Sequence, residues 1–348
     1  MSFMYLDSEE YEFIWETVSK LQIVFHPRYS PDGQLDHNAL IQNKHKYNYI
    51  LILDRNMLSS LLRLFKEGSL KDENEMRVIA LVMSWALTNN FPISAGLAIK
   101  EFANRTMSQD NALQELCEFK GLFEYYPSII WLRLAEGVID KIPPVDRAFE
   151  NYETDINYPE YDDHLLMHIA EMLHIVYLYR KKDMPTIEKI EAYLKWNYEN
   201  LLISESTITY MLLLFTNQNG IKAPKGVMTN DYEKILSGCK NQAWDLNYLS
   251  TWSTFHYNEP TENNEIFLFT TNDVMLKKIF INTYSSSGLS GLIHAVLSSK
   301  DGKRICDLIQ QKSGTNRIKP DFGNSPREYF NDLITREKEL LSSSLNFC

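Results

Sequence analysis

The chain has 348 residues, of which 44% are hydrophobic and 23% are charged, a balance typical of a globular protein with a substantial core. Its 35 basic and 46 acidic side chains give a net charge of −11 at pH 7, which excludes nucleic-acid binding by bulk electrostatic attraction. The four cysteines form no Cys-x-x-Cys pair, and the sequence shows neither a signal peptide nor an apolar run of about 18 residues. These features predict a cytoplasmic protein without a membrane segment.

Apolar residues at three- and four-residue spacing predict helices along most of the chain. In chain order these helices are 57–66, 75–88, 94–105, 163–180, 186–199, 204–216 and 326–342. Short apolar runs predict buried strands at 47–53 and 266–270, with 91–94 as a third candidate. Because strands alternate with helical stretches, the sequence predicts an α/β fold with a small parallel sheet flanked by helices.

Two segments carry a strong charge bias. Residues 150–163 contain six acidic side chains and no basic one, and with Pro159 they predict an exposed loop. Residues 298–320 carry six basic side chains against two acidic ones. Within this basic stretch, Lys303 and Arg304 are candidates for contact with a nucleic-acid backbone, and a solvated surface is the alternative interpretation.

Four acidic residues stand where the predicted sheet would bring side chains together. Asp54 directly follows the first predicted strand and Asp273 follows the second, so both would lie at the carboxyl edge of the sheet. Glu101 lies on the helix after the third candidate strand, and Asp245 opens a predicted helix before the last strand. Several carboxylates in one pocket repel one another unless a cation offsets their charge. Since Mg²⁺ prefers oxygen ligands, the four acids predict a metal site suited to phosphoryl chemistry.

The order of these motifs resembles the PIN-domain nucleases. The matching residues are Asp54 with Asn56 in LDRN, Glu101 in AIKEF, Asp245 in AWDLN, and Asp273 with Thr271 and Asn272 in TTND. The resemblance implies a PIN-like core whose four acids bind Mg²⁺ or Mn²⁺, with Thr271 orienting the metal-bound groups. It therefore implies a metal-dependent endoribonuclease acting on RNA or other single-stranded nucleic acid. By family analogy, one setting is a toxin or phage-defence effector with a regulatory protein partner.

The resemblance also implies a division of the chain. The predicted segments are an N-terminal helical extension (1–44), a PIN-like nuclease core (45–107 and 240–283), an all-helical insertion (108–239) and a C-terminal helical region (284–348). The interval between Glu101 and Asp245 is longer than in a minimal member of the family. The carboxylate assigned to Asp245 could therefore come instead from Asp140, Asp146 or an acid in the run 155–163.

The sequence leaves two other interpretations of the acids open. Asp54 and Asp273 could be helix N-caps without a metal, since Asp is favoured where a strand leads into a helix. The chain would then be a catalytically inactive PIN-like protein or a helical binding or scaffold protein. A flap-nuclease-like or phosphatase-like enzyme acting on DNA would use the same carboxylates.

One predicted helix, 163–180, concentrates histidines. It contains His164, His168, Glu171 and His174, and Glu171-x-x-His174 resembles half of a di-iron motif. Because a di-iron bundle needs a second Glu-x-x-His pair, which the sequence lacks, these residues are predicted to have a structural or interface role.

Overall fold

The computed structural model of the protein describes residues 6–145, 154–312, 317 and 320–345. The chain divides into two compact units, the first made of Met1–Glu160 with Trp252–Asp273 and the second of Tyr161–Thr251 with Val274–Cys348. Asp146, residues 150–153 of the acidic run and Lys319 of the basic stretch lie outside the described residues. Across the described ranges, no helix is long and apolar enough to cross a membrane.

The described part of the first unit combines a four-stranded sheet with seven complete helices. The strands are β1 (Val24–Phe25), β2 (Asn48–Leu53), β3 (Ile93–Ser94) and β4 (Glu265–Thr270). The helices are α1 (Ser8–Leu21), α2 (His37–Asn43), α3 (Arg55–Glu67), α4 (Glu73–Asn89), α5 (Gly96–Thr106), α6 (Gln109–Tyr125) and α7 (Ser128–Glu136). The strand order is β1-β4-β2-β3.

The sheet is mixed, which corrects the prediction of a purely parallel sheet. Strand β2 runs parallel to both β3 and β4, as predicted, whereas β1 pairs antiparallel with β4. The sequence did not indicate β1 because its two residues are too few to show the alternation that marks a longer strand.

The pairing of β2 with β4 brings the carboxyl ends of these strands together. Leu53 and Thr270, the last residues of the two strands, are register partners, and both are fully buried. The apolar side chains of Leu51 and Leu268 lie in the core of the unit. Burial of such side chains removes apolar surface from water and thereby stabilises the ends of both strands in one register.

Helices from chain segments outside the predicted nuclease core also belong to the first unit. Helix α4 packs against α7 and against α1, and Trp131 of α7 and Val18 of α1 are fully buried in the same hydrophobic core. The first unit therefore takes in the predicted N-terminal extension and residues 108–160 of the predicted insertion. From the predicted core segment 240–283, it takes only 252–273.

The described elements of the second unit are all helical. They are α8 (Asp163–Arg180), α9 (Thr186–Asn200), α10 (Glu205–Phe215), α11 (Tyr232–Tyr257), α12 (Val274–Tyr284), α13 (Gly288–Val296), α14 (Ser299–Lys312) and α15 (Pro326–Leu345). The last residues of α11, from Trp252 onward, belong to the first unit. The predicted helices in this part of the chain are confirmed to within a few residues.

Candidate functional site

Asp54 follows β2 and is buried at the carboxyl edge of the sheet, with only 1% of its surface exposed. Its backbone amide donates to the carbonyl of Thr270 at 3.1 Å, which extends the pairing of β2 with β4 by one residue. Its carboxylate caps α3, because Oδ1 accepts a hydrogen bond from the Met57 amide at 2.8 Å. Asp54 is therefore the N-cap of α3, as one interpretation of the sequence predicted.

Thr271 links Asp54 to the segment that carries Asp273. The Thr271 hydroxyl donates to Oδ2 of Asp54 at 2.5 Å and accepts from the Asp273 amide at 2.9 Å. The Thr271 amide in turn donates to the carbonyl of Ile23, just before β1, at 3.0 Å. A single buried hydroxyl therefore joins the LDRN and TTND motifs, so Thr271 lies where a supporting residue would act.

The electrostatics of Asp54 indicate that further acids lie near it. Burial raises the pKa of Asp54, and hydrogen bonds from Thr271 and Met57 oppose that increase. The negative charges of Asp273 and Glu101 raise it further, and the pKa reaches about 7. Asp54, Glu101 and Asp273, hereafter the acidic edge, therefore interact electrostatically across the ends of β2, β3 and β4.

The neighbouring cation Arg55 is engaged with a different acid. Its guanidinium donates to both carboxylate oxygens of Glu115 on α6, at 2.5 and 2.8 Å, and stacks 4.6 Å from the ring centre of Phe102. It also donates to the carbonyl of Ala98 at 3.3 Å. Arg55 thus fastens α3 to α6 and to α5, the helix that carries Glu101. No local pattern predicted this ion pair, whose members are 60 residues apart.

The structure places the other predicted residues as follows. Asn56 and Asn272 are exposed, each two residues or fewer from an acid of the edge. Asp245 belongs to the second unit and lies inside α11, which corrects the prediction that it opens a helix. Gln242, one turn earlier, donates to its carboxylate at 3.1 Å. Asp140, an alternative to Asp245, forms an ion pair with Arg77 at 3.1 Å.

The chemistry of the acidic edge fits a hard divalent cation. All three side chains offer carboxylate oxygens, the ligands that Mg²⁺ and Mn²⁺ prefer. Among the described residues, however, only a different group, containing two histidines, has three ligand atoms within 4.8 Å of one another. The carboxylates of the acidic edge are therefore spread more widely than three direct ligands of one ion. This spacing suits a hydrated cation held directly by one or two carboxylates and through water by the rest.

The more compact group, His26, His256 and Glu259, contacts β4 at Phe267 and is called here the histidine cluster. Nε2 of His26 lies 2.8 Å and Nδ1 of His256 lies 3.1 Å from the same carboxylate oxygen of Glu259. The other oxygen of Glu259 accepts from the Phe267 amide at 2.7 Å. Burial alone would raise the pKa of Glu259, but the hydrogen bonds from His256 and His26 lower it to about 2.

Hydrogen bonding in the histidine cluster favours protons over a metal ion. The Arg28 amide donates to Nδ1 of His26 at 3.1 Å, so that nitrogen accepts and the proton of the neutral ring resides on Nε2. A metal at Nε2 would displace this proton and require it on Nδ1, opposite the Arg28 N–H. The cluster is therefore a hydrogen-bonded clamp between the end of β1 and Phe267 of β4.

The histidines of α8 form structural networks in the second unit. His168 and Glu171 are fully buried and hydrogen-bonded at 2.7 Å, and Glu171 also accepts from Tyr193, Asn197 and Thr207. His174 stacks on Trp196 at 4.1 Å, and both donate to Glu337 of α15 at 2.8 Å. These contacts agree with the predicted structural role.

The acidic edge thus combines carboxylate oxygens with a local excess of negative charge, whereas the nitrogens and oxygens of the histidine cluster are paired in hydrogen bonds. No family model, curated protein or solved structure matches this chain.

Proposed function

We propose that the protein is a metal-dependent endonuclease with a PIN-like core that cleaves phosphodiester bonds in RNA or other single-stranded nucleic acid. The observation that carries the proposal is the buried carboxyl group of Asp54, whose pKa of about 7 reflects burial and two neighbouring acids. A helix cap needs no such accumulation of like charge. A divalent cation would offset it.

The residues of the acidic edge have distinct roles in this proposal. Asp54 and Asp273 would hold one or two Mg²⁺ or Mn²⁺ ions at the ends of the central strands, and Glu101 would approach from α5. A divalent cation at such a site activates water and stabilises the charge that develops on the phosphodiester. Thr271 fixes the rotamer of Asp54 through its short hydrogen bond. Asp245, the fourth predicted ligand, lies in the second unit and is not part of the acidic edge.

The experiment compares two Asp→Asn variants that both alter a helix cap. Asp54→Asn keeps the shape of the side chain but removes charge from the acidic edge. Asp72→Asn alters the cap of α4, where Asp72 accepts from the Glu75 amide at 3.1 Å. With a labelled single-stranded RNA and Mn²⁺, we expect Asp54→Asn to lower the cleavage rate at least about a hundredfold. Asp72→Asn should cleave like the wild type.

Cleavage by the wild type should stop in EDTA and resume when Mn²⁺ is restored. Equal cleavage by the wild type and Asp54→Asn, after both pass a circular-dichroism check of folding, would refute the proposal. A folded wild type that cleaves neither RNA nor single-stranded DNA with either metal would support the inactive-scaffold alternative instead.

A further inference from the structure

Helices α9 and α14 of the second unit form an open groove with a volume of about 490 Å³. It is lined by Glu191, Lys195, Lys300, Lys303, Arg304, Asp307, Leu308 and Gln311, a set called here the basic groove. Four of these side chains are cationic and two are anionic, although the whole chain has a net charge of −11. Positive charge is therefore concentrated locally on an acidic protein.

One cation of the groove is already neutralised. The guanidinium of Arg304 donates to Glu191 at 2.7 Å and makes a second, shorter contact with the other oxygen of the same carboxylate. Such a two-point ion pair holds the Arg304 side chain against α9. Arg304, which the sequence suggested as a contact with nucleic acid, is thus committed to a structural interaction.

Three lysines of the groove have no such partner in the part of the chain that the structure describes. Lys195 projects from α9, and Lys300 and Lys303 lie one turn apart on α14, so that the last two share a helix face. All three are exposed, and none is in an ion pair within the described ranges of the chain. Two walls of the groove therefore offer ammonium groups that are free to bind an external anion.

The remainder of the basic stretch does not extend this set in a simple way. Arg317 donates to the carbonyl of Leu201 and lies 5.4 Å from the ring centre of Tyr198, which fixes it against the protein. Lys312 is exposed at the end of α14. The cationic character predicted for 298–320 is thus available mainly through the lysines of the groove.

We infer that the basic groove binds the sugar–phosphate backbone of single-stranded RNA. This choice of ligand rests on the proposed nuclease function. Lysine ammonium groups neutralise phosphates as mobile point charges and do not read base sequence. Leu308 is the one apolar side chain among the lining residues, whereas a protein partner would normally require an apolar patch at the centre of its interface.

The test measures binding separately from cleavage. All proteins carry Asp54→Asn and are kept in EDTA, and fluorescence anisotropy follows a labelled oligouridylate over a series of KCl concentrations. The groove variant combines Lys195→Glu, Lys300→Glu and Lys303→Glu. The control variant combines Lys46→Glu, Lys71→Glu and Lys182→Glu, three exposed lysines outside the groove, and changes the net charge by the same amount.

We expect the groove variant to bind the oligouridylate at least about tenfold more weakly at low salt than the protein that carries Asp54→Asn alone. The control variant should bind with nearly the same affinity as that protein. Three lost phosphate contacts on a single strand should reduce the slope of log K against log [KCl] by about 2. Equal weakening in both variants, or an Asp54→Asn protein that fails to bind the oligouridylate, would overturn the inference. Displacement of the RNA by polyglutamate at equal charge concentration would also overturn it, in favour of an acidic protein partner.

The outcomes separate this inference from the proposed function. If RNA binding depends on the groove but the protein with Asp54 intact cleaves no RNA, the RNA-binding role of the groove is supported and the proposed nuclease function is refuted. If a groove variant that retains Asp54 cleaves RNA with metal at the wild-type rate, the nuclease function is supported and the RNA-binding role of the groove is refuted.

Discussion

The side chain of Asp54 accepts two hydrogen bonds while Asp273 and Glu101 act on it as like charges. Its pKa is about 7, whereas an Asp in an unfolded chain has a pKa near 4. The folded, metal-free protein therefore holds this proton more tightly than the unfolded chain does. The stability that protonation contributes is fully present below about pH 4 and is lost as the pH rises through 7.

Asp54→Asn should remove this pH dependence. At pH 8 in EDTA, we expect the variant to be more stable than the wild type, because the pKa of Asp54 is about three units higher in the folded than in the unfolded chain, which corresponds to about 4 kcal/mol. The gain is reduced by the one hydrogen bond, from Thr271 or Met57, that the single amide oxygen of Asn cannot accept. The difference should shrink as the pH is lowered toward 4. Urea unfolding of both proteins at several pH values measures it.

Two controls make the pH experiment specific. Asp72→Asn should show no such gain at pH 8, because that cap is exposed. Addition of Mn²⁺ at pH 8 should stabilise the wild type more than Asp54→Asn, since a ligand stabilises only the state that binds it. Identical pH profiles for the wild type and Asp54→Asn would mean that the acidic edge carries no electrostatic strain.

At the scale of elements, the two-residue strand β1 needs support from outside the sheet. His26 follows it directly, and the histidine cluster ties that end of β1 to Glu259 and to the backbone of β4. Near the same strand, the carbonyl of Ile23 accepts from the Thr271 amide. The short strand β1 is thus held on one side by the histidine cluster and on the other by the Thr271 amide.

Glu259→Gln should loosen this clamp, because a carboxylate has two accepting oxygens and an amide has only one. The Gln oxygen could accept from the two histidines or from the Phe267 amide, but not from all three. We expect a loss of about 1.5 to 3 kcal/mol at pH 8. Although burial would raise it, hydrogen bonds from His256 and His26 lower the pKa of Glu259 to about 2, so the stability that Glu259 contributes is present above its unfolded value of 4.5 and declines as the pH falls toward 2. Because Gln does not titrate, the variant should decline less than the wild type between pH 4.5 and 3.

The Glu259→Gln comparison is made by urea unfolding in the Asp54→Asn background, because Asp54 has the opposite pH dependence and would mask the effect. If Glu259→Gln leaves the free energy of unfolding at pH 8 unchanged, the histidine cluster does not stabilise the fold as a clamp. A stabilisation by micromolar Zn²⁺ that Glu259→Gln abolishes would identify the histidine cluster as a metal site instead.

Helices with a long pattern of apolar spacing were predicted more accurately than elements with a short one. Helix α8 spans the 18 residues that its apolar spacing predicted, because a long pattern averages out local exceptions. The start of α11 was predicted wrongly at Asp245, a residue type that favours caps. The structure begins this helix at Tyr232, and Asp231 accepts from the Lys234 amide at 3.1 Å. Spacing alone cannot choose between two possible caps.

At the scale of the whole chain, local patterns could not assign helices to units. The fully buried Trp131 joins the core of the first unit through packing of α7 on α4, a contact that no local motif encodes. Asp54 and Asp273 were predictable as neighbours because parallel strands deliver their carboxyl ends to one edge. His26 and Glu259 were not, because the sequence did not indicate β1, the two-residue strand that positions His26.

The position at which a divalent cation binds tests the proposed function most directly, and affinity cleavage measures it. Fe²⁺ is bound in place of Mg²⁺, and ascorbate with hydrogen peroxide then generates radicals that cut the nearby backbone, with the fragments identified by mass spectrometry. We predict cuts near Asp54, Glu101 and Asp273 that excess Mg²⁺ suppresses and Asp54→Asn abolishes. Imidazole ligands also suit iron, so cuts confined to the histidine cluster, or no Mg²⁺-sensitive cuts at the acidic edge, would contradict the claim.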